Sequence, residues 1–342
     1  MRLRSFGRFA LIGALAAASI DSAGAQGGNG SEPDAFSFAV MGSATEQADR
    51  EARATLKAMP TNALRFIVHF DLSIPSPRSC GDDGLDARKR LLDASVVPIV
   101  PVVAASEWAV CGANDATDAP DRLARLGDAL FGGEESAGQA RLRLARQSAL
   151  PRFGRYRENV RWQTGRVLFV TFNLPDNNNN VRRGAGRNGE FEDRSLANHG
   201  WLERAFRFAT ERRLAGIVLF VDASPRFEWP LRPPDLTSRD RDGYYEWKNA
   251  LRTLVIAFKG RVLLVQGHVP PSATMPLDEH PLRDSAGRPL ANFTRVALAP
   301  PSGSDRWMRV DVDPASARVF TIARERVFDD PTGELYGTGR AK

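Results

Sequence analysis

The chain has 342 residues, with 47 lysine and arginine residues against 41 aspartate and glutamate residues, which gives a formal net charge of +6. The positive charges are spread among acidic residues, and the absence of an aromatic-interleaved basic stripe argues against a nucleic-acid-binding module. A chain of this length can form one large α/β domain or two small ones.

The first 25 residues have the pattern of a secretory signal peptide. Arg2, Arg4 and Arg8 precede the apolar run Phe9–Ile20, and Ala23-Gly24-Ala25 supplies a small-residue cleavage site. A membrane anchor is the alternative, but an apolar run of about a dozen residues is shorter than the roughly 20 needed to span a bilayer. We therefore expect a periplasmic or secreted protein, cleaved near the last alanine, with a flexible segment over 26–34 and no transmembrane segment after cleavage.

Two cysteines, Cys80 and Cys111, are present in the whole chain. In an oxidising compartment they can pair and close a loop of about 30 residues. A reactive thiol and a metal-binding pair are the alternatives, but neither a CxxC spacing nor a nearby histidine cluster accompanies them. A disulfide is therefore the favoured interpretation.

The next segments alternate between strand and helix patterns. Phe36–Met41, Arg65–Phe70 and Val96–Val103 are short apolar runs, as expected of strands that are buried on both faces of a sheet. Glu46–Met59 and Leu85–Ala94 lie between them and have helical patterns.

A helical insertion is predicted after the third strand. Asp118-Ala119-Pro120 combines an N-cap acid with an early proline, which indicates a helix that runs to about Phe131. Glu134–Gln147 is expected to form a further, basic helix.

The alternation then resumes through five more elements, which favours one layered α/β fold. We predict strands and helices in the order Val167–Asn173 (strand), Ser195–Arg213 (helix), Gly216–Val221 (strand), Tyr244–Lys259 (helix) and Val262–Val265 (strand).

The C-terminal part contains strand patterns separated by turn signals rather than by helices. Asn292–Leu298, Trp307–Val312 and Arg318–Ala323 are expected to form an antiparallel meander. Asp176–Glu192 and Ser224–Asp242 are predicted to be long loops, which in compact domains are usually functional or disordered.

Three strand ends carry a resemblance to a known family. Phe36–Gly42 resembles the opening strand of a secreted bacterial group of calcineurin-like metallophosphoesterases, in which the strand ends in Gly-Asp. Phe66–His69 followed by Cys80 is similar to the second strand and its cysteine loop. Ala104–Trp108 followed by Cys111 is similar to the Gly-Asp-Asn-Glu-Trp segment and its cysteine.

Further matches extend the resemblance over nearly the whole mature chain. They are Glu158–Trp162, Leu168–Asn173, Trp201-Leu202, Leu263–Pro270 and Asn292–Val296. The resemblance implies a layered fold of β-sheets flanked by helices, with a phosphoesterase domain over 35–325 and a C-terminal tail over 326–342.

The resemblance also implies a centre of two metals, commonly iron, manganese or zinc, which activates a hydroxide and holds phosphate oxygens. Most of the positions that should hold these metals carry other residues, namely Ser43, Leu72, Ala105, Ser106 and Pro270. Leucine, alanine and proline offer no side-chain donor, and a serine hydroxyl does not replace a carboxylate. We therefore expect no intact two-metal centre and no confident catalytic residue.

Some acidic and histidine residues remain near these positions as candidate ligands of a rearranged mononuclear site. They are Asp71, Asp222 and His268, with Glu107 and His69 as further members. For Glu107 structural support is the favoured interpretation, and for His69 a place in the core.

Two functions stay open at this point. The first is an exported pseudoenzyme that uses no metal. It would bind a ligand or a protein through the cleft that corresponds to the family's metal site, where Arg182, Arg183 and Arg187 could attract an anion. The second is a phosphoric ester hydrolase with a remodelled divalent-metal site, for which fold similarity is only an analogy.

Overall fold

A computed structural model describes residues 35–43, 48–71, 80–111, 119–181, 188–227, 231, 233, 241–267, 282–298, 305–329 and 335–340. The chain divides into an N-terminal unit, Met1–Glu32, and a main unit, Pro33–Lys342, to which all these residues belong. The predicted signal peptide and the segment 26–34 lie outside the described residues.

The first of two six-stranded sheets is mixed. In spatial order its strands are Leu335–Arg340 (β12), Phe320–Asp329 (β11), Asp305–Val312 (β10), Phe36–Ser43 (β1), Ile67–Asp71 (β2) and Ile99–Val102 (β3). The strands β1, β2 and β3 are parallel, whereas β10, β11 and β12 form an antiparallel meander on β1.

The second sheet is also mixed. In spatial order its strands are Ala145–Arg146 (β4), Val160–Thr164 (β5), Val167–Phe172 (β6), Gly216–Val221 (β7), Arg261–Gln266 (β8) and Phe293–Ala297 (β9). The strands β6 to β9 are parallel, and β4 and β5 add an antiparallel edge. Every residue of β6 and β7 is buried, as their continuous apolar sequences predict.

Helices flank the sheets, which confirms the predicted layered α/β fold. They are Ala48–Ala58 (α1), Asp82–Asp93 (α2), Ala119–Leu130 (α3), Gly189–Glu211 (α4) and Tyr245–Ala257 (α5). Short 3₁₀ turns lie at Thr61–Ala63, Ala105–Glu107, Gln147–Ala149, Pro151–Phe153 and Asn178–Asn180. None of the helices within the described ranges has the length and apolar character required to cross a membrane.

An aromatic core joins the two sheets. Phe38 of β1 and Phe66, which directly precedes β2, stack with ring centroids 5.0 Å apart. Phe66 also meets Trp162 at 5.3 Å and Phe169 at 4.9 Å, both from the second sheet and both edge to face. Such pairs add stabilisation beyond the burial of apolar area.

The predicted helix over Glu134–Gln147 is wrong. Within this segment Ala137 pairs with Ile99 beside β3, and Glu135 pairs with Arg143. Gly138 has φ = +100°, and a Cβ atom there would lie 2.6 Å from the carbonyl oxygen of Val97. Only glycine adopts the backbone conformation of Gly138 easily. The segment pairs beside β3 instead of forming a helix, because this pairing satisfies its backbone groups.

The C-terminal strands differ from the prediction in their partners. Asn292–Leu298 was expected in the meander, but β9 is parallel to β8 in the second sheet. The remaining meander strands are confirmed, and the meander continues through β12, so residues 326–329 and 335–340 of the predicted tail belong to strands. The edge strands β4 and β5 were not predicted.

Candidate functional site at the carboxyl ends of the strands

The carboxyl ends of parallel strands from both sheets meet at one edge, which we call the carboxyl edge. In the first sheet, β1 and β2 pair Ser43 with Asp71. In the second sheet, β7 is followed by Asp222 and β8 by Gly267. The backbone amide of Ala105, after β3, reaches across to Asp222. The edge is the place where α/β sheets bind ligands, and it gathers four of the predicted site positions.

The carboxylate of Asp222 connects three loops at this edge. Its side chain is 3% exposed, and its Oδ2 atom accepts hydrogen bonds from the amides of Ala105 at 2.8 Å and Asp176 at 3.1 Å. Asp176 in turn accepts a hydrogen bond from the amide of Ser224 at 2.8 Å. Bonds from amides to a carboxylate are charge-assisted and strong, so Asp222 holds the loops after β3, β6 and β7 together.

The ends of β2 and β8 are packed closely. A Cβ atom on Gly267 would overlap the ring of Phe70, so only glycine permits this approach. The amide of Gly267 also donates a hydrogen bond to the carbonyl of Val221 at 2.9 Å. The candidate ligand Asp71 follows Phe70 in the chain, and the candidate ligand His268 follows Gly267.

Glu107 supports the backbone of the loop after β3. Its side chain is buried, forms an ion pair with Arg88 and accepts a hydrogen bond from the amide of Ala104 at 2.9 Å. Arg122 donates to the carbonyl of Glu107 at 3.2 Å. These contacts fix the 3₁₀ turn that contains Ala105, and they occupy the carboxylate with backbone and arginine donors.

The predicted disulfide between Cys80 and Cys111 is confirmed, with the two Cα atoms 5.4 Å apart. Cys80 lies just before α2, and Cys111 lies in the loop that follows β3. The bond therefore ties the segment that enters α2 to the loop that carries Ala105.

His69 lies within β2 rather than at its end. It is 1% exposed and shares a strand face with Ile67, which packs in the cluster beneath the helices. Phe66, Val68 and Phe70 point to the opposite face, towards the second sheet. His69 thus points away from the aromatic core between the sheets.

A buried polar network lies behind the end of β6, and sequence reasoning did not find it as a network. The Nδ2 group of Asn173 donates to Glu158 at 2.7 Å, and the amide of Asn173 donates to Asn159 at 2.7 Å. Asn159 donates to both Gln147 at 2.7 Å and Asn198 at 2.9 Å. The only signal in the sequence was a run of polar residues flanking the apolar strand, within segments that resemble the family.

Burial dominates the electrostatics of Glu158. It raises the pKa of this carboxyl to about 7, while the hydrogen bond from Asn173 and the charge of Arg194 act in the opposite direction. Arg194 is fully buried, pairs with Glu190 and donates to the carbonyl of Asn179 at 2.7 Å.

The asparagine turn beside this network has an unusual backbone. Asn178, Asn179 and Asn180 all have positive φ, at 55°, 57° and 53°. Asparagine tolerates this region better than most residues, although three in succession are rare. The amide of Gly243 donates to Asn178 at 2.9 Å, and Asn179 donates to the carbonyl of Gly243 at 2.8 Å. The turn is thereby joined to the segment that enters α5.

The described residues do not fit a two-metal centre. They contain no group of three or more histidine, cysteine, aspartate or glutamate side chains placed to hold a metal ion. Ala105 contributes only a methyl group, and Asp222 already accepts two backbone amides through one oxygen.

Several predicted positions lie outside the described residues. They are Leu72, Arg182, Arg183, Arg187, His268 and Pro270, together with the side chains of Ser43 and Asp71. Their roles remain as the sequence predicts them.

Comparison with known proteins found solved structures that are similar to this chain at low TM-scores. No protein-family model and no curated protein sequence matches the chain. A dimetal phosphatase from Danio rerio is 12% identical, with a TM-score of 0.42, and the match covers 80% of this chain and 92% of that one. A purple acid phosphatase from seeds of yellow lupin, Lupinus luteus, is 9% identical, with a TM-score of 0.43, and the match covers 89% of this chain and 53% of that one.

Both of these proteins are phosphatases. At these identities and TM-scores, neither match assigns a family or an activity to this chain. The chain itself contains two mixed sheets flanked by helices.

Proposed function

We propose that this protein is exported and non-catalytic, and that it binds a ligand or a protein at the carboxyl edge of its metallophosphoesterase-like fold.

The observation that supports the proposal most directly is the hydrogen bonding of the Asp222 carboxylate. In a working metal site a carboxylate directs its oxygens at the cation. Here one oxygen is held by the amides of Ala105 and Asp176 in a buried position. This carboxylate therefore acts as a structural link between loops, and the loss of donor side chains at Leu72, Ala105 and Pro270 is consistent with the same conclusion.

The connected loops supply a rigid surface for binding. Asp222 joins three loops, Glu107 fixes one of them, and the disulfide restrains the same one. A preorganised surface loses little conformational entropy when a partner binds, which favours affinity. The arginines Arg182, Arg183 and Arg187 remain the candidates for attracting an anionic group to it.

Export is supported by two independent features. The disulfide is of a kind that persists in oxidising compartments and is rare in the cytosol. The first 25 residues carry the charge, apolar run and small-residue pattern of a signal peptide.

Metal content tests the proposal directly. We expect the mature protein, incubated with manganese, iron and zinc and then thoroughly desalted, to retain far less than one metal ion per chain by elemental analysis. It should also fail to hydrolyse aryl phosphate monoesters and diesters above the buffer rate.

Asp222→Asn is the matched variant for this experiment. It keeps an oxygen that accepts the two amides but removes the charge that a cation would require. Under the proposal, the variant and the original protein have the same negligible metal content. One or two tightly bound ions that disappear in Asp222→Asn or His268→Ala would overturn the proposal.

A remodelled hydrolase is the second candidate, and one packing feature favours it. Phe70, Val221 and Gly267 are held together by the close approach and the hydrogen bond described above. Each is followed in the chain by one of the candidate ligands Asp71, Asp222 and His268. Stoichiometric metal together with phosphatase activity would select this function.

A further inference from the structure

A second surface feature lies away from the carboxyl edge, on the outer face of the second sheet. A groove of about 1040 Å³ runs between α4 and the edge strands β4 and β5. Small-molecule sites typically occupy about 300–1000 Å³, so the groove has room for such a ligand. Every residue that lines it belongs to the described part of the chain.

The groove is strongly cationic. Six arginines line it against two glutamates, and the arginines are Arg143, Arg146, Arg157, Arg161, Arg204 and Arg207. This excess is local, because the chain as a whole is only mildly basic.

Several of these arginines are already engaged by the protein. Arg143 pairs with Glu134 at 3.3 Å, and Arg157 pairs with Asp128. Arg146 donates to three backbone carbonyls, including that of Arg157 at 3.0 Å. The backbone therefore fixes Arg146, whereas Arg143 and Arg157 belong to exposed ion pairs.

Arg161 and Arg204 are different. Across the residues that the structure describes, neither forms an ion pair with an acidic side chain, and the charges that act on Arg161 are those of Arg204, Arg212 and Arg207. Arg207 reaches Glu211 only at 4.0 Å, between two exposed side chains. Such surface pairs contribute little and leave the arginine available.

Aromatic rings hold Arg161 in place. Its guanidinium lies 4.5 Å from the ring centroid of Phe208 and 5.4 Å from that of Trp201, both on α4. Burial, followed by repulsion from Arg204, Arg212 and Arg207, lowers the pKa of Arg161. A half-buried guanidinium among other cations gains from an anionic partner, and the ring contacts reduce the entropy lost on binding.

We infer that this groove binds a small anion that carries phosphate groups, held by Arg161 of β5 together with Arg204 and Arg207 of α4. The two helical arginines are three residues apart and therefore lie on the same face of α4. Planar guanidinium groups bind phosphate oxygens through paired hydrogen bonds. A phosphate group has more charge and more acceptor oxygens than a carboxylate, so it suits a site with three arginines better.

Calorimetry with pyrophosphate tests this inference on the full mature protein. We expect binding in the micromolar range, stronger than that of citrate and weakened by added salt. Arg204→Ala and Arg161→Met should each weaken binding by about tenfold or more.

The controls separate site binding from general charge and from folding. Arg125→Ala removes an exposed helical arginine outside the groove and should leave the affinity unchanged. Arg204 is exposed, so its loss does not disturb the core even where Arg161→Met lowers stability.

Two sources of the phosphate group can be distinguished in the same series. Binding of soluble pyrophosphate supports a soluble phosphorylated molecule, whereas binding only to vesicles that contain phosphatidic acid, lost in Arg204→Ala, supports a lipid headgroup. Absence of binding to both at about 1 mM, or equal losses in Arg204→Ala and Arg125→Ala, would overturn the inference.

Discussion

Glu158 shows how one buried side chain links the fold to pH. Its pKa is raised to about 7 from an ordinary value of 4.5, because burial penalises the charged form. Between these two values the unfolded chain releases the proton while the folded protein retains it. The contribution of Glu158 to the free energy of unfolding is therefore highest at low pH. It falls by about 3 kcal/mol in total as the pH rises from the unfolded pKa to the folded pKa of Glu158.

Glu158→Gln tests this contribution. Glutamine keeps an oxygen for the hydrogen bond from Asn173 but cannot ionise. We expect the variant to resemble the original protein in stability at about pH 5, and to exceed it by roughly 1–3 kcal/mol at about pH 8. Urea unfolding at both pH values measures the difference. Equal pH slopes in the two proteins would show that Glu158 does not titrate in this range.

At the scale of elements, the loops at the carboxyl edge depend on covalent and polar links. The segment that enters α2 and the loop after β3 are joined by Cys80 and Cys111, 31 residues apart. A cross-link of this span restricts the unfolded chain and stabilises the folded state by about 3–4 kcal/mol in the chain-entropy model.

The double variant Cys80→Ser/Cys111→Ser should lose about this amount of stability in urea unfolding. Reductant should lower the stability of the original protein to a similar value and leave the variant unchanged. Thiol titration of the unfolded original protein without reductant should find essentially no free thiol. Two free thiols, or equal stability of variant and original, would contradict a structural role for the bond.

At the scale of the whole molecule, one aromatic core serves both sheets. Phe66, just before β2, is fully buried and contacts Trp162 and Phe169 of the second sheet. Because the sheets share this core, we expect them to unfold together rather than as separate domains.

Phe66→Ala should therefore destabilise the whole protein by about 3–5 kcal/mol. Phe36→Ala is the control, since Phe36 is only partly buried and meets Phe169 at 6.2 Å, and its effect should be clearly smaller. Fluorescence and circular dichroism followed through the same urea titration should give one coincident transition for both variants. Two separated transitions would show that the sheets are independent.

The sequence by itself determined most elements of this protein and the positions of its disulfide cysteines. Continuous apolar runs such as Gly216–Val221 are typical of buried strands, and their alternation with amphipathic helices favours a layered α/β fold. It also determined which positions lack donor side chains, because the methyl group of alanine offers no ligand atom in any fold.

Tertiary structure decided what local patterns leave open. Glu134–Gln147 has a helical composition, yet pairing beside β3 overrides it, and β9 joins the second sheet because a strand pattern carries no information about its partner. The same holds for the sites. The bonds from Ala105 and Asp176 to Asp222, and the contact of Arg161 with Phe208, join residues far apart in the chain, so only the folded arrangement could place them together.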